Sequence, residues 1–378
     1  MFRSISLFFR RRGERRDLRS VLNTRKLWEQ ELAGLPVVPV QEKTLLVIRL
    51  DEIGDYLLYR NFLADYRQGK WAGYNITFAG NIIWKSLFEV YDAAAADQTI
   101  WVDKKQYFGD AGYRRTLWLK IRMAGFEAVI CPSRSRPLLL DDILAMSSAA
   151  GIREAVANTY AVPEWNMISD KGYDHLFPST SDLHEFTFNR QFSEWVNGLY
   201  HDIAAPELPT QSGGTNEIIC FIGASIRSKR WPVAYWIRLV KALQQQGMNP
   251  VIGGGKNEEA AASAIVSATG VTSFAGQSSL LETLERIGAA RAVVSGDTMA
   301  AHAAVAFRKP LVIIANGVNA PRFVHYQSLP AAVPAVTLYT RYYDHYLKKG
   351  SRKLFRAVSH DMHSIHPEQV VTALLQLL

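Results

Sequence analysis

The feature of this sequence that most constrains its fold is a regular alternation between short apolar runs and helix-like stretches. The run TLLVIRL at 44–50 is almost wholly apolar, and a helix-like stretch follows it at about 55–67. Runs of this length separated by helices are typical of strands buried on both faces of a parallel sheet. In the same half, further strands are predicted at 74–80, 98–103 and 127–132, and a helix at 82–91.

The alternation is interrupted once, near the middle of the chain. Segment 202–216 contains two prolines and two glycines, a composition typical of a linker. Because 378 residues are more than one hydrophobic core ordinarily organises, we expect two domains. We predict a basic N-terminal segment at 1–43, a first domain at 44–203, a linker at 204–216 and a second domain at 217–378, whose last helix can pack back on the first domain.

The second half repeats the strand and helix pattern of the first. The strands are predicted at 217–223, 249–255, 271–274, 290–296 and, as the final one, 310–317. The helices are predicted at 233–246, 258–268, 279–288, 299–307 and 366–378. Two successive doubly wound halves predict an α/β protein in which two Rossmann-like parallel sheets face each other across a cleft, and ligands bind at the carboxyl ends of such strands.

Positive charge is concentrated at the start of the chain, whose net charge is +8. Residues 1–26 contain nine arginines and lysines against Glu14 and Asp17, and the apolar run Ile5 to Phe9 lies beside them. This pattern favours a segment lying on an anionic membrane surface, and a disordered basic tail is the alternative. No apolar run reaches the roughly 20 residues of a spanning helix, and no nucleic-acid motif accompanies the charge, so no nucleic-acid partner is expected.

Several other classes of site are excluded by spacing. Cys131 and Cys220 each follow a strand-like run without metal-ligand spacing, so we expect both to be core residues in a reducing cytoplasm. No cluster of His, Asp or Glu has convincing metal spacing either. Gly253 to Asn257 is not a phosphate-binding P-loop, because its first glycine is misplaced and no Ser or Thr follows the lysine, and no GxGxxG follows the first strand.

Three short motifs follow predicted strands, and the first is Arg49 to Asp55. Gly54 permits a tight turn, and Asp55 stands where the next helix begins. A carboxylate at that position is most often a helix cap, although the position also lies at the predicted cleft. The second motif, Gly223 to Pro232, combines small residues with Lys229 and Arg230, which suits a diphosphate as well as it suits a charged surface loop.

The third motif, Val294 to His302, again leads from a strand end into a helix. Asp297 can cap that helix or hydrogen-bond a sugar, and the N–H groups of the helix start can receive an anion. His302 lies one turn beyond Thr298 on the same helix face, although a lone histidine at such a place is more often structural.

The order of these three motifs resembles glycosyltransferase family 9, the ADP-heptose:lipopolysaccharide heptosyltransferases, over residues 44–318. The resemblance implies a GT-B fold, an inverting transfer without a metal or other cofactor, and a cytoplasmic enzyme peripheral to the inner membrane. It implies Asp55 as general base, Lys229 at the diphosphate and Asp297 facing the donor. It also implies that the nucleotide-sugar donor is ADP-heptose. The donor site then comprises Gly54, Ala224, Ser225, Lys229, Glu258, Asp297, Thr298, Met299 and His302.

The chain departs from the family pattern in two places. Met299 stands where family members usually have glycine, which narrows the space beside the phosphates. Tyr59, Arg60 and Asn61 stand where the family usually has two small residues and a proline, so Arg60 is a candidate acceptor-binding residue. Besides heptose transfer to a lipopolysaccharide core, two alternatives stay open: another nucleotide sugar for O-antigen, capsule or protein glycosylation, and a catalytically silent membrane-associated binding module.

Overall fold

The computed structural model describes residues 2–159, 163–179, 183–209, 213–224, 226–329, 333–341, 343 and 361–378, with side chains from residue 18 onward. The chain divides into two compact units. The first comprises Met1–Glu52, Phe62–Ser181 and Gln191–Tyr200, and the second comprises Ile53–Asn61, Asp182–Arg190 and His201–Leu378. Two short segments from the first half of the chain therefore belong with the second unit.

The first unit is built on a six-stranded sheet in the order β3-β2-β1-β4-β5-β6, and its paired strands are parallel. The central strand β1 is buried from Leu45 onward, as expected for a strand covered on both faces. The strands are β1 (Gln41–Arg49), β2 (Asn75–Asn81), β3 (Gln98–Val102), β4 (Phe126–Cys131), β5 (Ile152–Val156) and β6 (His175–Phe177).

The helices of this unit pack an apolar core against the sheet. They are α1 (Phe2–Ala33), α3 (Lys85–Tyr91), α4 (Lys104–Gly109), α5 (Ala111–Met123), α6 (Asp141–Ser148) and α7 (Pro163–Asp170). Asp103 and Asp110 cap α4 and α5 by accepting hydrogen bonds from the first free N–H groups of each helix. None of the described helices is long and apolar enough to cross a membrane.

The second part of α1 is docked into this core. Trp28 is 8% exposed and packs edge-on against Tyr107 and Trp118, with the Arg114 guanidinium 4.3 Å from its ring centroid. Arg25 donates to Asp142 of α6 over 3.5 Å. The core therefore begins well before the first strand.

The second unit has a five-stranded sheet in the order β11-β10-β9-β7-β8, again with parallel pairs. Its strands are β7 (Glu217–Phe221), β8 (Asn249–Gly253), β9 (Ala292–Gly296), β10 (Leu311–Ala315) and β11 (Ala335–Tyr339). Its helices are α2 (Ile53–Tyr59), α9 (Val233–Gln245), α10 (Glu259–Thr269), α11 (Leu280–Ala289), α12 (Met299–Ala306) and α13 (Pro367–Leu377).

Helix α8 (Glu185–Asn197) is shared between the units, because its residues up to Arg190 belong to the second and the rest to the first. The last helix, α13, packs on α9, β10 and β11 of the second unit. The predicted domain limits stay a prediction.

The predicted fold class, two parallel-sheet α/β domains, is confirmed. Cys131 and Cys220 are buried and unpaired, as predicted. Three expectations were wrong. The strand at 310–317 is not the last, because β11 follows it; 271–274 forms a single bridge, Ile252 to Ser273, and no strand; and the helix at 55–67 is α2 followed by a 3-10 helix, Arg60–Arg67.

Candidate functional site

The carboxyl ends of three neighbouring strands meet at one edge of the second sheet. In the sheet register Phe221 of β7 lies beside Ser295 of β9, and Gly296 lies beside Ile314 of β10. The loops that leave these strands are therefore neighbours, and two of them are the second and third predicted motifs. Ligands of parallel α/β sheets bind at this edge.

An ion pair joins the second motif to the third. Lys229 ends a short 3-10 turn after β7, and its Nζ lies 2.7 Å from Oδ2 of Asp297, which follows β9. Both side chains are nearly buried, at 9% and 6% exposed. The amide of Asn319 also donates to Asp297 Oδ2 over 3.0 Å. Two of the three predicted catalytic residues, Lys229 and Asp297, are thus brought together, and the carboxylate also accepts from Asn319.

The loop after β10 braces both motifs, a role that sequence reasoning missed. Asn316 donates to the carbonyl of Ser228 over 3.1 Å, and its own Oδ1 accepts from the Val318 N–H. Asn319 reaches Asp297 from the same loop. The sequence did contain a signal: Asn316 and Asn319 lie at and just after the end of the predicted strand 310–317. The other motifs also follow the ends of predicted strands.

Glu258 lies over the glycine turn that follows β8. Its Oε2 accepts from the Gly255 N–H at 3.2 Å, and its Oε1 lies 3.5 Å from the Arg230 guanidinium. A Cβ at Gly223 would stand 3.3 Å from the same carboxylate. Glu258 therefore contacts the second motif as well as its own turn.

Thr298 is the N-cap of α12. Its hydroxyl accepts from the Ala300 N–H at 3.3 Å and lies 3.0 Å from the Ser295 hydroxyl. Capping at this residue turns the first N–H groups of α12 toward the sheet edge, where an anion is favoured. Met299, the first helical residue, is half-buried at that position.

The first motif joins this site through α2, which packs against α12 within the second unit. The contact is tight, because a Cβ at Gly54 would stand 2.6 Å from Cδ2 and 3.1 Å from Nε2 of His302. Asp55 lies in the first turn of α2, next to that contact. The segment carrying Asp55 and the helix after Asp297 are therefore direct neighbours.

His302 is 4% exposed and belongs to a buried polar cluster. Its Nδ1 lies 2.5 Å from the Tyr326 hydroxyl, and the Tyr326 ring packs on His184 with centroids 4.7 Å apart. Burial is the main cause that lowers the pKa of His302 to about 4 and that of His184 to about 3. At His302 the Asp297 carboxylate acts against this shift and Lys229 adds to it, and at His184 the neighbouring His302 adds to it. Both rings are neutral at pH 7. No sequence signal connected His184 and Tyr326 with the motifs.

The remaining predicted residues are placed differently. Ala224 is buried, and its carbonyl accepts from Arg230 Nε at 3.0 Å. Ser225 lies outside the described residues. Arg60 is 8% exposed and donates to the Glu207 carbonyl over 2.6 Å. Its guanidinium therefore has a hydrogen-bond partner in its buried position before any acceptor binds. Among the described side chains, no group of three His, Cys, Asp or Glu converges on a common point as a metal site.

Residues 143–324 match the family model described as Glycosyltransferase family 9 (heptosyltransferase). The matched stretch includes Lys229, Glu258, Asp297 and His302. Asp55 and Arg60 precede it.

Several solved structures are similar to this chain in fold. A family 9 glycosyltransferase from Veillonella parvula is 17% identical, with a TM-score of 0.68 over 89% of this chain and 97% of its own. The E. coli heptosyltransferase WaaC with ADP is 15% identical, with a TM-score of 0.64 over 89% of this chain and 100% of its own. E. coli ADP-heptose lipopolysaccharide heptosyltransferase II is 16% identical, with a TM-score of 0.64 over 88% and 98%. No curated protein matches the sequence.

Proposed function

We propose that this family 9 glycosyltransferase moves heptose from ADP-heptose to a lipopolysaccharide-core acceptor, with inversion at the anomeric carbon. The observation that carries the proposal is the joining of the three motifs within one unit. The Lys229–Asp297 pair links the second and third motifs, and the contact of Gly54 with His302 adds the first. A base and a phosphate-binding cation then flank one site, as single displacement requires.

In this mechanism Asp55 accepts the proton of the acceptor hydroxyl while that oxygen attacks the anomeric carbon and the carbon–diphosphate bond breaks. The Lys229 ammonium stabilises the charge that builds on the departing diphosphate. Asp297 holds the lysine through their ion pair, and Asn319 donates to the same carboxylate oxygen, so the lysine charge is oriented before the donor arrives. Because Lys229 supplies the positive charge at the phosphates, we expect that no metal is needed there and that EDTA does not inhibit the reaction.

The donor is proposed to lie along the sheet edge. Its diphosphate would meet the start of α12, at Thr298 and Met299, and the small residues Gly54, Ala224 and Ser225 would leave the backbone approachable. Glu258, whose carboxylate already accepts from the Gly255 N–H, is suited to accept hydrogen bonds from ribose hydroxyls. Solved relatives in this fold contain ADP and ADP-2-deoxy-2-fluoro heptose, which supports an adenosine diphosphate donor.

A second candidate is transfer from another nucleotide sugar to an O-antigen, capsule or protein acceptor. Met299 favours it, because a half-buried methionine occupies the helix position nearest the proposed phosphate site. Arg60 could then contact the acceptor instead of only bracing Glu207. Met299→Gly separates the candidates. If the Met299 side chain merely crowds ADP-heptose, the substitution should improve ADP-heptose binding. If the side chain selects a different nucleotide sugar, the substitution should weaken the binding of that sugar.

The experiment that tests the donor is a thermal-shift screen against nucleoside diphosphates and nucleotide sugars. A specific ligand at 100 times its Kd stabilises by about 2.7 kcal/mol. We expect ADP and ADP-heptose to raise the Tm of the wild type and to have a much smaller effect on Lys229→Ala. The candidate donor is then incubated with a lipopolysaccharide-core acceptor, and sugar transfer is followed by mass spectrometry. A UDP-sugar as the sole stabilising ligand would overturn the proposed donor.

The proposed second partner is an anionic membrane surface. Helix α1 carries the basic N-terminal residues, and through Trp28 it adjoins α4 and α5. On those helices Lys105, Arg115 and Lys120 are exposed and have no carboxylate within 4 Å among the described residues, and Phe108 is 51% exposed. Basic side chains around an exposed aromatic ring suit an anionic bilayer, to which each contributes about 1 kcal/mol.

Charge reversal tests this surface better than truncation. A chain starting at residue 44, the natural first choice from the sequence, would remove Trp28, Leu32 and Leu35 from the core. Lys105→Glu, Arg115→Glu and Lys120→Glu together should weaken cosedimentation with phosphatidylglycerol vesicles at low salt by at least tenfold. The matched control reverses three exposed cations elsewhere, Lys171, Lys241 and Arg291. Equal weakening in both triple variants would mean that only net charge matters.

A further inference from the structure

We propose that His302 is a positioning residue whose buried ring, locked by Tyr326, holds the turn that carries Asp55. The inference rests on the proposed function in one respect, the role of Asp55 as general base. It assigns to His302 a task on the acceptor side of the reaction, in place of direct contact with the donor.

The first observation is the contact between the ring and the turn. The Cδ2–Nε2 edge of His302 faces Gly54. A Cβ atom added at Gly54 would lie 2.6 Å from Cδ2 and 3.1 Å from Nε2 of that ring. Any side chain at position 54 would therefore overlap the ring. Gly54 is directly followed by Asp55, so a shift of this contact is transmitted to the carboxylate through one peptide unit.

The second observation is that the ring cannot easily move away. His302 lies in the part of helix α12 that is buried, Ala300 to Ala306, and its Nδ1 is hydrogen-bonded to the Tyr326 hydroxyl. Burial and the nearby Asp297 raise the pKa of Tyr326 well above its ordinary value, so the hydroxyl keeps its proton and can donate it to Nδ1. A neutral imidazole that accepts at Nδ1 carries its hydrogen on Nε2, the atom on the Gly54 side.

The third observation is that Tyr326 is itself held. Its ring packs against His184, which accepts from the Phe186 N–H at Nδ1 and lies 3.1 Å from the Phe323 carbonyl through Nε2. These bonds fit one neutral tautomer of His184. The cluster thus ties α12, the loop after β10 and the start of α8 to the Gly54 contact, and all of it lies in the second unit.

The backbone at Gly54 sharpens the test. Gly54 is not among the residues with positive φ, so its conformation admits alanine. The three heavy atoms nearest to a Cβ at Gly54 all belong to the ring of His302. The effects of Gly54→Ala and His302→Ala must therefore be strongly coupled, because removing the ring makes room for the added methyl group.

The experiment compares the wild type with Gly54→Ala, His302→Ala and the double variant. For each, kcat, donor KM, the Kd for ADP from calorimetry and the Tm are measured. We expect His302→Ala to lower kcat by roughly 10- to 100-fold while the Kd for ADP stays within about threefold. Gly54→Ala should lower kcat at least tenfold in the wild type, and by less than about threefold in the His302→Ala background.

Tyr326→Phe keeps the ring and removes only the hydroxyl, so it tests the lock in a chain that folds. It should lower kcat by roughly three- to tenfold without changing the Kd for ADP. Tyr339→Phe is the matched control, because it removes another tyrosine–histidine bond in the same unit, 3.2 Å to His325. That control should leave the coupling between positions 54 and 302 unchanged.

Two results would overturn the inference: a tenfold weaker Kd for ADP in His302→Ala with kcat preserved, or additive effects of the two alanine substitutions on both kcat and Tm. Failure of the proposed function looks different. If Asp55→Ala retained turnover, the base assignment would fall, while coupling of the Tm values at positions 54 and 302 would still report the packing contact.

Discussion

Removing one member of the Lys229–Asp297 pair should destabilise the second unit, and removing both should largely restore it. Lys229→Met leaves the Asp297 carboxylate buried, with 6% of its side chain exposed and without the lysine charge. The neutral amide of Asn319 still donates a hydrogen bond to it. Asp297→Asn leaves the lysine charge without its partner. The double variant leaves no charge at all.

The burial of the pair sets the magnitude. Because both side chains are more than nine-tenths buried and only 2.7 Å apart, solvent screening is weak. Breaking such a pair from one side costs about 3–5 kcal/mol, whereas replacing both partners by neutral groups is often close to neutral. For a unit of this size, each kcal/mol shifts the Tm by about 2–4 °C. We therefore expect each single variant to lose roughly 6–20 °C and the double variant only a few degrees.

Thermal unfolding and transfer rates are measured on the same four proteins. The structural role predicts that stability returns in the double variant. The chemical role predicts that activity does not return, since no ammonium remains for the leaving diphosphate. Single variants within about 2 °C of the wild type would refute the buried pair, and recovery of turnover in the double variant would refute the role of Lys229.

Three further predictions concern the surroundings of the site. Trp28→Ala should cost about 3–5 kcal/mol, whereas its exposed neighbour Leu27→Ala should change stability by less than about 0.5 kcal/mol, as read from denaturant unfolding. Because the pKa values of His302 and His184 are lowered in the folded state, to about 4 and about 3, the unfolded chain binds more protons below pH 6.5. Stability is therefore complete above that pH and falls as the medium is acidified, by about 2 kcal/mol per histidine between pH 7 and pH 5, and a flat profile would contradict this. Arg60→Ala should lower the Tm by several degrees with the acceptor KM unchanged; a raised acceptor KM at constant Tm would make it an acceptor ligand instead.

Strands β1 and β10 could be predicted from their apolar runs, whereas β5 could not. β1 and β10 are buried along most of their length and were predicted within a few residues. β5 contains Arg153 and Glu154, and the latter is only 3% exposed. Its burial is compensated by Lys70, whose Nζ lies 2.6 Å away. A tertiary ion pair of this kind leaves no local pattern.

The candidate site divides in the same way. Lys229 and Asp297 could be predicted to meet, because each follows a strand and the carboxyl ends of neighbouring parallel strands lie at one edge. By contrast, the sequence could not predict that Gly54 and Asp55 belong to the second unit. Their place there depends on a packing contact, in which the ring of His302 lies against a residue that has no side chain. Tyr326 joins through one hydrogen bond to His302, and His184 joins through a tilted ring contact with Tyr326; no spacing rule predicts either contact.

In the proposed function, Asp55 is the general base of a sugar transfer in which a diphosphate is the leaving group. The most direct test of this role is the transfer rate of Asp55→Asn at saturating donor and acceptor, relative to the wild type, with the Kd for ADP measured alongside. We expect a rate lower by roughly 10²–10⁴-fold, with the Kd for ADP within about threefold of the wild-type value. A near-normal transfer rate would contradict it.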